Sequence, residues 1–325
     1  MKKIALFVVL SICFSCQREI INTKISGPVF GTSYSIQYYS EDTHDVKKAC
    51  DSLFEVINQS MSTYDSSSII SKINKNEDVE IDTHFKTVLE ASKLVYRHTQ
   101  GAFDPTIGAV VNAWDFGPEG KIENLDSVKV KEMMRVVGLN RVGIVNNKLQ
   151  KPEIIKMDFN AIAKGYGVDV ISDYLESKGV KDYIVEIGGE IRTRGINKEK
   201  GTQWVVGVEA PRFDGEQSLM NTIVIKDKAL ATSGTYRKFK VDALGRRYAH
   251  IIDAKTGYPS QTNLLSISVI ADNCTLADAY ATAFKTMGIE KIKRFLETHS
   301  ELQVFLIFEN EGKEIESLTL NGFPE

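Results

Sequence analysis

Asp278 and Thr282 stand four residues apart in the run Ala277-Asp278-Ala279-Tyr280-Ala281-Thr282-Ala283. The run is mostly small residues and reads as a helix. Side chains at i and i+4 share one helix face, so a carboxylate and a hydroxyl present two hard oxygens to one cation. Small neighbours let a bulky ligand come close. An isolated Asp/Thr pair is more often a solvated helix face, and an Asp near a helix start also favours the dipole. Three further segments argue for chemistry: Ala231-Thr232-Ser233-Gly234-Thr235-Tyr236-Arg237, His250-Ile251-Ile252-Asp253-Ala254-Lys255-Thr256-Gly257-Tyr258-Pro259 and Asp158-Phe159-Asn160-Ala161-Ile162-Ala163-Lys164-Gly165.

Together these four segments resemble the FAD:protein FMN transferase family, the ApbE family. Phe30-Gly31-Thr32-Ser33-Tyr34, Met61-Ser62-Thr63-Tyr64, Gly101-Ala102-Phe103-Asp104-Pro105-Thr106 and Gly188-Gly189-Glu190-Ile191 add to the likeness, which runs from about Gly27 to Gly288. The resemblance implies an α+β fold: one compact two-lobed unit with mixed or antiparallel sheets, flanking helices and the nucleotide in the cleft. It implies that the FMN part of FAD passes to a Ser or Thr hydroxyl of a client flavoprotein, with AMP released and Mg2+ as cofactor. The clients it implies are subunits of membrane redox complexes, such as sodium-pumping NADH:quinone reductase and Rnf-type complexes.

Charge grows on the phosphoryl oxygens in such a transfer, which calls for a divalent metal and fixed donors. Magnesium takes oxygen ligands and commonly uses few carboxylates, with phosphate and water completing its shell. Asp278 and Thr282 meet that demand, and the resemblance adds the backbone carbonyl of Ala163. Tyr64 offers a flat amphipathic platform for a flavin ring, against its alternative as a half-buried core aromatic. Phe30 keeps an apolar contact to the ligand where many relatives carry Met. Ala102, Phe103 and Asp104 match a nucleotide-contacting segment, although Asp104 before Pro105 also reads as a turn residue. Asn160 and Lys164 open a helix whose first amides and ammonium offset pyrophosphate charge. Thr232, Ser233 and Gly234 read as a hydroxyl-rich turn approaching the ligand. A lone His is usually structural, but the resemblance makes His250 a ligand contact and, with Asp278, the catalytic candidate, orienting phosphate or moving a proton. Relatives often have an acidic or amide residue at the position of Thr235 and Pro at that of Ala254.

Two rival readings use nearly the same residues. One is FAD hydrolysis to FMN and AMP, with water in place of the client hydroxyl. The other is a non-catalytic FAD-binding lipoprotein; a retained Asp278/Thr282 pair argues against pure storage.

The elements that must position these groups follow from the rest of the chain. Lys2 and Lys3 precede an apolar stretch, Ile4 to Ile12, that is too short to stay as a membrane-spanning helix. It ends at Cys13-Phe14-Ser15-Cys16, which looks like a bacterial lipobox with Cys16 as the lipidated residue. Residues 1–16 are therefore expected to be a lipoprotein signal, 17–26 a tether and 27–325 the transferase domain. The expected location is the bacterial cell envelope, on a membrane and facing the periplasm. The remaining cysteines, Cys50 and Cys274, do not make a disulfide framework. A net charge of -3 and the lack of a basic aromatic stripe exclude a general nucleic-acid binder.

Strand character is expected for Val29–Tyr39, Ile154–Met157, Tyr183–Ile187, Trp204–Glu209 and Leu264–Ile270, with a closing hairpin of Gln303–Glu309 and Ile315–Leu320. Val46, Cys50, Leu53, Ile57 and Met61 recur at helical spacing. Further helices are expected at Phe85–His98, Ile162–Ser177, Leu276–Met287 and Lys291–His299. Residues 117–130 and 211–220 read as loops, and Gly188-Gly189 as a tight turn rather than a dinucleotide fingerprint. Without regular βαβ alternation, the pattern is α+β.

Overall fold

The described chain begins with a hairpin that the sequence reading takes for one strand. In the computed structural model, which describes residues 20–325 apart from 42–44, 213, 215, 217, 236–238 and 242–246, β1 (Ile21–Val29) pairs with β2 (Thr32–Ser40). The turn falls on Phe30 (φ 48°) and Gly31 (φ 73°), both left-handed, as a two-residue hairpin turn requires. Residues 21–26, expected as tether, are thus strand: Ile21 pairs with Ser40 and Ser26 with Ser35. The alternating Ile21, Thr23 and Ile25 suit an edge strand. The signal at 1–16, Cys16 and residues 17–19 lie outside the described residues.

Five helices follow: α1 (Val46–Met61), α2 (Ile69–Asn74), α3 (Thr83–His98), α4 (Gly108–Ala113) and α5 (Ser127–Met134). The expected loop at 117–130 therefore ends early, because Asp126 caps α5 by accepting from the amides of Val128 and Lys129. A small hairpin joins β3 (Gly143–Val145) and β4 (Lys148–Gln150). Ile154–Met157 is not a strand. Its Met157 amide and carbonyl are both satisfied by the Asn74 side chain, at 2.7 and 2.8 Å, where a strand would use a neighbour.

Next come α6 (Ala163–Ser177), β5 (Asp182–Ile187), β6 (Glu190–Arg194), β7 (Ile196–Asn197), β8 (Thr202–Glu209), β9 (Leu219–Ile225), β10 (Ala229–Gly234), β11 (Phe239–Val241), β12 (Arg247–Ala249) and β13 (Leu264–Ala271). The chain ends with α7 (Cys274–Met287), α8 (Ile289–Leu296), β14 (Gln303–Glu309) and β15 (Ile315–Leu320). Eight strands form one antiparallel sheet in the order β1-β2-β5-β6-β10-β13-β14-β15. This is the expected α+β class.

Both faces of that sheet are covered at its centre, and every residue of β13 is buried. Ala231, Ile267 and Val269 face a core built with α3 and α7. Leu230 and Ile270, one residue out of phase, face a second core with Val206, Val208 and Ile223 of the β8–β9 hairpin. Alternation along each strand places one set of residues under the helices and the other under the small sheet. A smaller lobe gathers Ile107, Val110, Phe116, Ile252 and Ala254 around α4 and the segment after β12. Among the described residues no helix is long and apolar enough to cross a membrane.

One buried cation stands apart. Lys285, at the end of α7, is 1 % exposed, and a threonine hydroxyl, Thr262 Oγ1 at 2.9 Å, receives its ammonium. Thr262 and Ser260 in turn donate to the Lys285 carbonyl. Burial pushes the ammonium down from 10.5 to about 8. The charged form is thus disfavoured in the fold, fully below pH 8 and progressively less as the pH rises to 10.5. Lys285→Met keeps the backbone acceptor and removes the charge. It should raise unfolding free energy at neutral pH by about 1–3 kcal/mol in denaturant titrations. The gain should fade through that window; a gain that is constant with pH would exclude charge burial as its source.

Candidate active site

A cleft of about 970 Å³ runs between the two lobes, lined by the first turn of α6, the β5–β6 turn, the end of β10, α7 and the segment around His250. Its inner wall depends on one close helix contact. A Cβ on Gly165 would lie 2.2 Å from the carbonyl oxygen of Cys274 and 2.8 Å from the Cβ of Asp278. Only glycine lets α6 approach α7 this closely. The bare Gly165 amide then donates to Asp278 Oδ2 at 3.0 Å. One turn along α6, Asp169 receives the amides of Cys274 and Thr275 at 3.0 and 2.8 Å, along with the Thr275 hydroxyl. These are the first amides of α7, which have no partner within their own helix. Arg192 Nη1 holds the same Asp169 at 3.0 Å.

Asp278 is therefore in the second turn of α7, 3 % exposed, and not a charge at its exposed start. Thr282 lies one turn on, bonded to Ser233 Oγ at 3.1 Å. Ser233, Thr232 and Gly234 belong to β10, not to the expected turn. Ala231 and Ser233, the small side chains on the face toward α7, fit a strand lying under a helix rich in alanine, where bulk would push α7 away. Thr232 points to the other face and bonds Ser268 Oγ at 2.8 Å.

Lys164 and Glu190 form the other half of the wall. Their Nζ and Oε1 are 2.6 Å apart, with Glu190 almost fully buried. Burial alone would lower the Lys164 ammonium, but the carboxylates of Asp278 and Glu190 outweigh it and raise it. Burial, together with the charge of Asp278, pushes the Glu190 carboxyl up to about 7 against the pull of Lys164. The sequence reading gave Glu190 no role. Its signal was there, an acid directly after the Gly188-Gly189 turn, but a hairpin corner normally presents its acid to solvent.

The remaining candidates are spread along the cleft. Phe30 lines it from the β1–β2 turn, edge-on to Phe54 at 5.6 Å. Tyr64 is 61 % exposed at the wall, with its hydroxyl 3.4 Å from the Phe116 carbonyl. It is thus an open platform, not a core aromatic. Ala102 and Phe103 are buried cleft residues, and Asn160 is an exposed one. Asp104 lines the cleft as well, but its oxygens are engaged by the amide and hydroxyl of Thr106 and the amide of Leu139. The turn reading of Asp104 accounts for these bonds. His250 follows β12 and stands edge-on to Phe116 at 6.2 Å. Behind it a turn closes with Gly257 (φ 77°), whose carbonyl accepts from the Trp114 indole at 2.8 Å. Tyr236 and Arg237 lie outside the described residues.

Among the described residues no group of three or more His, Cys, Asp or Glu side chains is arranged to hold a metal. The cleft offers a different donor set. Gly165 occupies Asp278 Oδ2, leaving Oδ1 for a ligand, with the Thr282 hydroxyl on the same helix face and Ala163 lining the same cleft. A single carboxylate with neutral oxygens fits a hard cation that draws its other ligands from phosphate and water.

Known proteins resemble this chain over most of its length. The sequence model of the ApbE family matches residues 30–306. The FAD:protein FMN transferase of Vibrio cholerae serotype O1 is 35% identical, across 95% of this chain and 94% of its own. The protein of that name from Haemophilus influenzae is 35% identical across 95% and 92%. The solved flavin transferase ApbE from Vibrio cholerae superposes with a TM-score of 0.81 at 34% identity, covering 93% of this chain and 97% of that one. The apo form of the Pseudomonas stutzeri flavinyl transferase ApbE gives 0.81 at 26% identity, covering 92% and 95%.

The helix contact makes a direct prediction. Gly165→Ala must drive α6 from α7 and should cost about 1–3 kcal/mol in thermal or denaturant unfolding. Gly143→Ala has open space around its Cβ and should change stability by less than about 0.5 kcal/mol. Equal midpoints for the two variants would mean that the helices separate without cost.

Proposed function

This chain belongs to the ApbE family of flavin transferases, and we propose that it moves the FMN part of FAD onto a Ser or Thr hydroxyl of a client protein with Mg2+ as cofactor. The observation that carries the reading is one cleft holding Asp278, Thr282, Lys164 and His250 beside the exposed ring of Tyr64. Asp278, Thr282 and the Ala163 carbonyl would hold the cation. When bound, it supplies charge neutralisation on the pyrophosphate.

The chain's own groups do the rest. Tyr64 and Phe30 give the isoalloxazine ring apolar and aromatic surface. The Ala163 and Gly165 amides at the start of α6 are taken by Phe159 and Asp278, so the Lys164 ammonium is the group of that turn that would offset the phosphate charge. The client oxygen forms a bond to the phosphorus of the FMN half, and the phosphorus–oxygen bond to AMP breaks. AMP leaves with the bridging oxygen and the electron pair. His250 accepts the proton of the incoming hydroxyl. The clients proposed are flavoprotein subunits of membrane redox complexes. A lipid on Cys16 would hold the enzyme at the periplasmic face of a membrane beside them; the small Ser15 before that cysteine, after an apolar run, supports this placement.

The test is incubation with FAD, Mg2+ and a candidate client, followed by mass spectrometry of the client. The expected product is a client carrying FMN at a Ser or Thr; free FMN with an unmodified client would instead support hydrolysis. Asp278→Ala should slow transfer by a factor of about 10²–10³ while leaving much of the FAD affinity, because the ring contacts remain. EDTA should act like the substitution, with added Mg2+ restoring only the parent protein. Transfer at the parent rate by Asp278→Ala would remove the cation from this site.

A further inference from the structure

Glu190 has two oxygens in different circumstances. Oε1 meets the Lys164 ammonium at 2.6 Å. Oε2 is buried and has no hydrogen-bond partner. The residue is only 2 % exposed, so bulk water does not solvate it. When that carboxyl is ionised, an oxygen left bare in the protein interior carries a desolvation penalty with nothing to offset it. Glu190 lines the cleft, so its bare oxygen calls for a donor that arrives with a ligand.

The surroundings narrow the choice of donor. Ala163, Lys164 and Gly165 form the first turn of α6. Through Lys164 this turn touches Glu190, and through Gly165 it touches Asp278. The carboxylates therefore flank one helix start and line one cleft. Ionised phosphate oxygens carry no proton to donate and are repelled by a carboxylate. A water bound to a divalent cation is a strong donor, because the metal draws charge from its protons. Magnesium keeps several such waters when one carboxylate binds it.

We propose that Glu190 Oε2 accepts a hydrogen bond from a water of the cation held by Asp278 and Thr282, which makes Glu190 a positioning residue for that cation. The inference rests on the metal-dependent reading of the site given above. Lys164 has a defined part in it. By fixing Oε1, it keeps the carboxylate from turning onto the cation as a direct ligand. It also balances the charge of the pair while the cation is away.

The experiment uses the full chain and Mn2+ as a probe, read by calorimetry and by water-proton relaxation, without FAD and again with FAD saturating. Glu190→Gln keeps size and shape. It should weaken Mn2+ binding by about 10–100-fold, with FAD affinity in the absence of metal unchanged within about twofold. Lys164→Met removes the neighbouring positive charge and leaves the carboxylate; it should bind Mn2+ as tightly as the parent or more tightly. Should Glu190→Gln fail to fold, Glu190→Asp reads the same contact, because its oxygens are withdrawn by one methylene. Parent-like Mn2+ affinity in the Glu190 variants overturns the proposal. So does equal weakening by Lys164→Met, since the effect would then come from the ion pair alone. A parent protein that binds no Mn2+ overturns it too, while flavin transfer itself is judged separately by the mass of the client.

Discussion

The site depends on the distance between α6 and α7. Gly165 sets that distance, since any larger side chain would strike the Cys274 carbonyl. Once the helices are that close, two side chains lock them. Asp278 takes an amide from the start of α6, and Asp169 takes two from the start of α7. Each helix thus satisfies orphan amides of the other, which neither can satisfy alone. Asp278 is held in place by this lock before any ligand arrives, so its rotamer need not be fixed by the cation.

Charge in this wall is unbalanced in a useful way. Lys164 lies between Asp278 and Glu190, one ammonium against two carboxylates. A buried pair gains little net stability, because desolvation costs several kcal/mol per ion. A third charge without a partner costs more. That cost is what pushes the Glu190 carboxyl up to about 7. Arg192 treats its own cluster differently: Asp169, Asp173 and Glu176 all reach its guanidinium, in a part of α6 tied to β6 and to the start of α7. The excess negative charge is kept for the open end of α6, where a divalent cation would offset it.

How much of this the sequence revealed depends on how local each signal is. The Asp278/Thr282 spacing, the helix that carries it and the Gly188-Gly189 turn are properties of a few consecutive residues, and the structure has them where they were expected. β10 was misread because Ala-Thr-Ser-Gly has no strand propensity of its own. It is a strand because β13 pairs with it along its length and α7 covers it, and small residues are what that cover allows. Ile154–Met157 fails the opposite way: it has strand-like residues but no strand beside it, and Asn74 from distant α2 takes the bonds. Glu190 and Gly165 escaped for the same reason. Nothing adjacent in sequence says that a hairpin acid will be buried, or that a helical glycine will meet another helix. Both facts come from pairings across more than a hundred residues or across the sheet.

The charged and aromatic parts of the cleft are built differently, and the proposed chemistry needs that difference. Buried helices and a sheet covered on both faces fix Asp278, Thr282, Lys164 and Glu190. The aromatic wall is looser: Tyr64 is 61 % exposed, and Phe30 reaches α6 at Gly167 from a left-handed turn. Phosphoryl transfer gains from rigid placement of charge, because misplacing a charged group by an ångström loses much of its effect on the transition state. An aromatic ring needs only a flat apolar surface, which tolerates small shifts. His250 stands on a segment tied to α4 through the Trp114 indole and to α7 through Ser260, Thr262 and Lys285. The proposed proton acceptor is thus anchored to α7, the helix of Asp278 and Thr282, by a backbone carbonyl at its far end, so both parts of the proposed machinery share one rigid support.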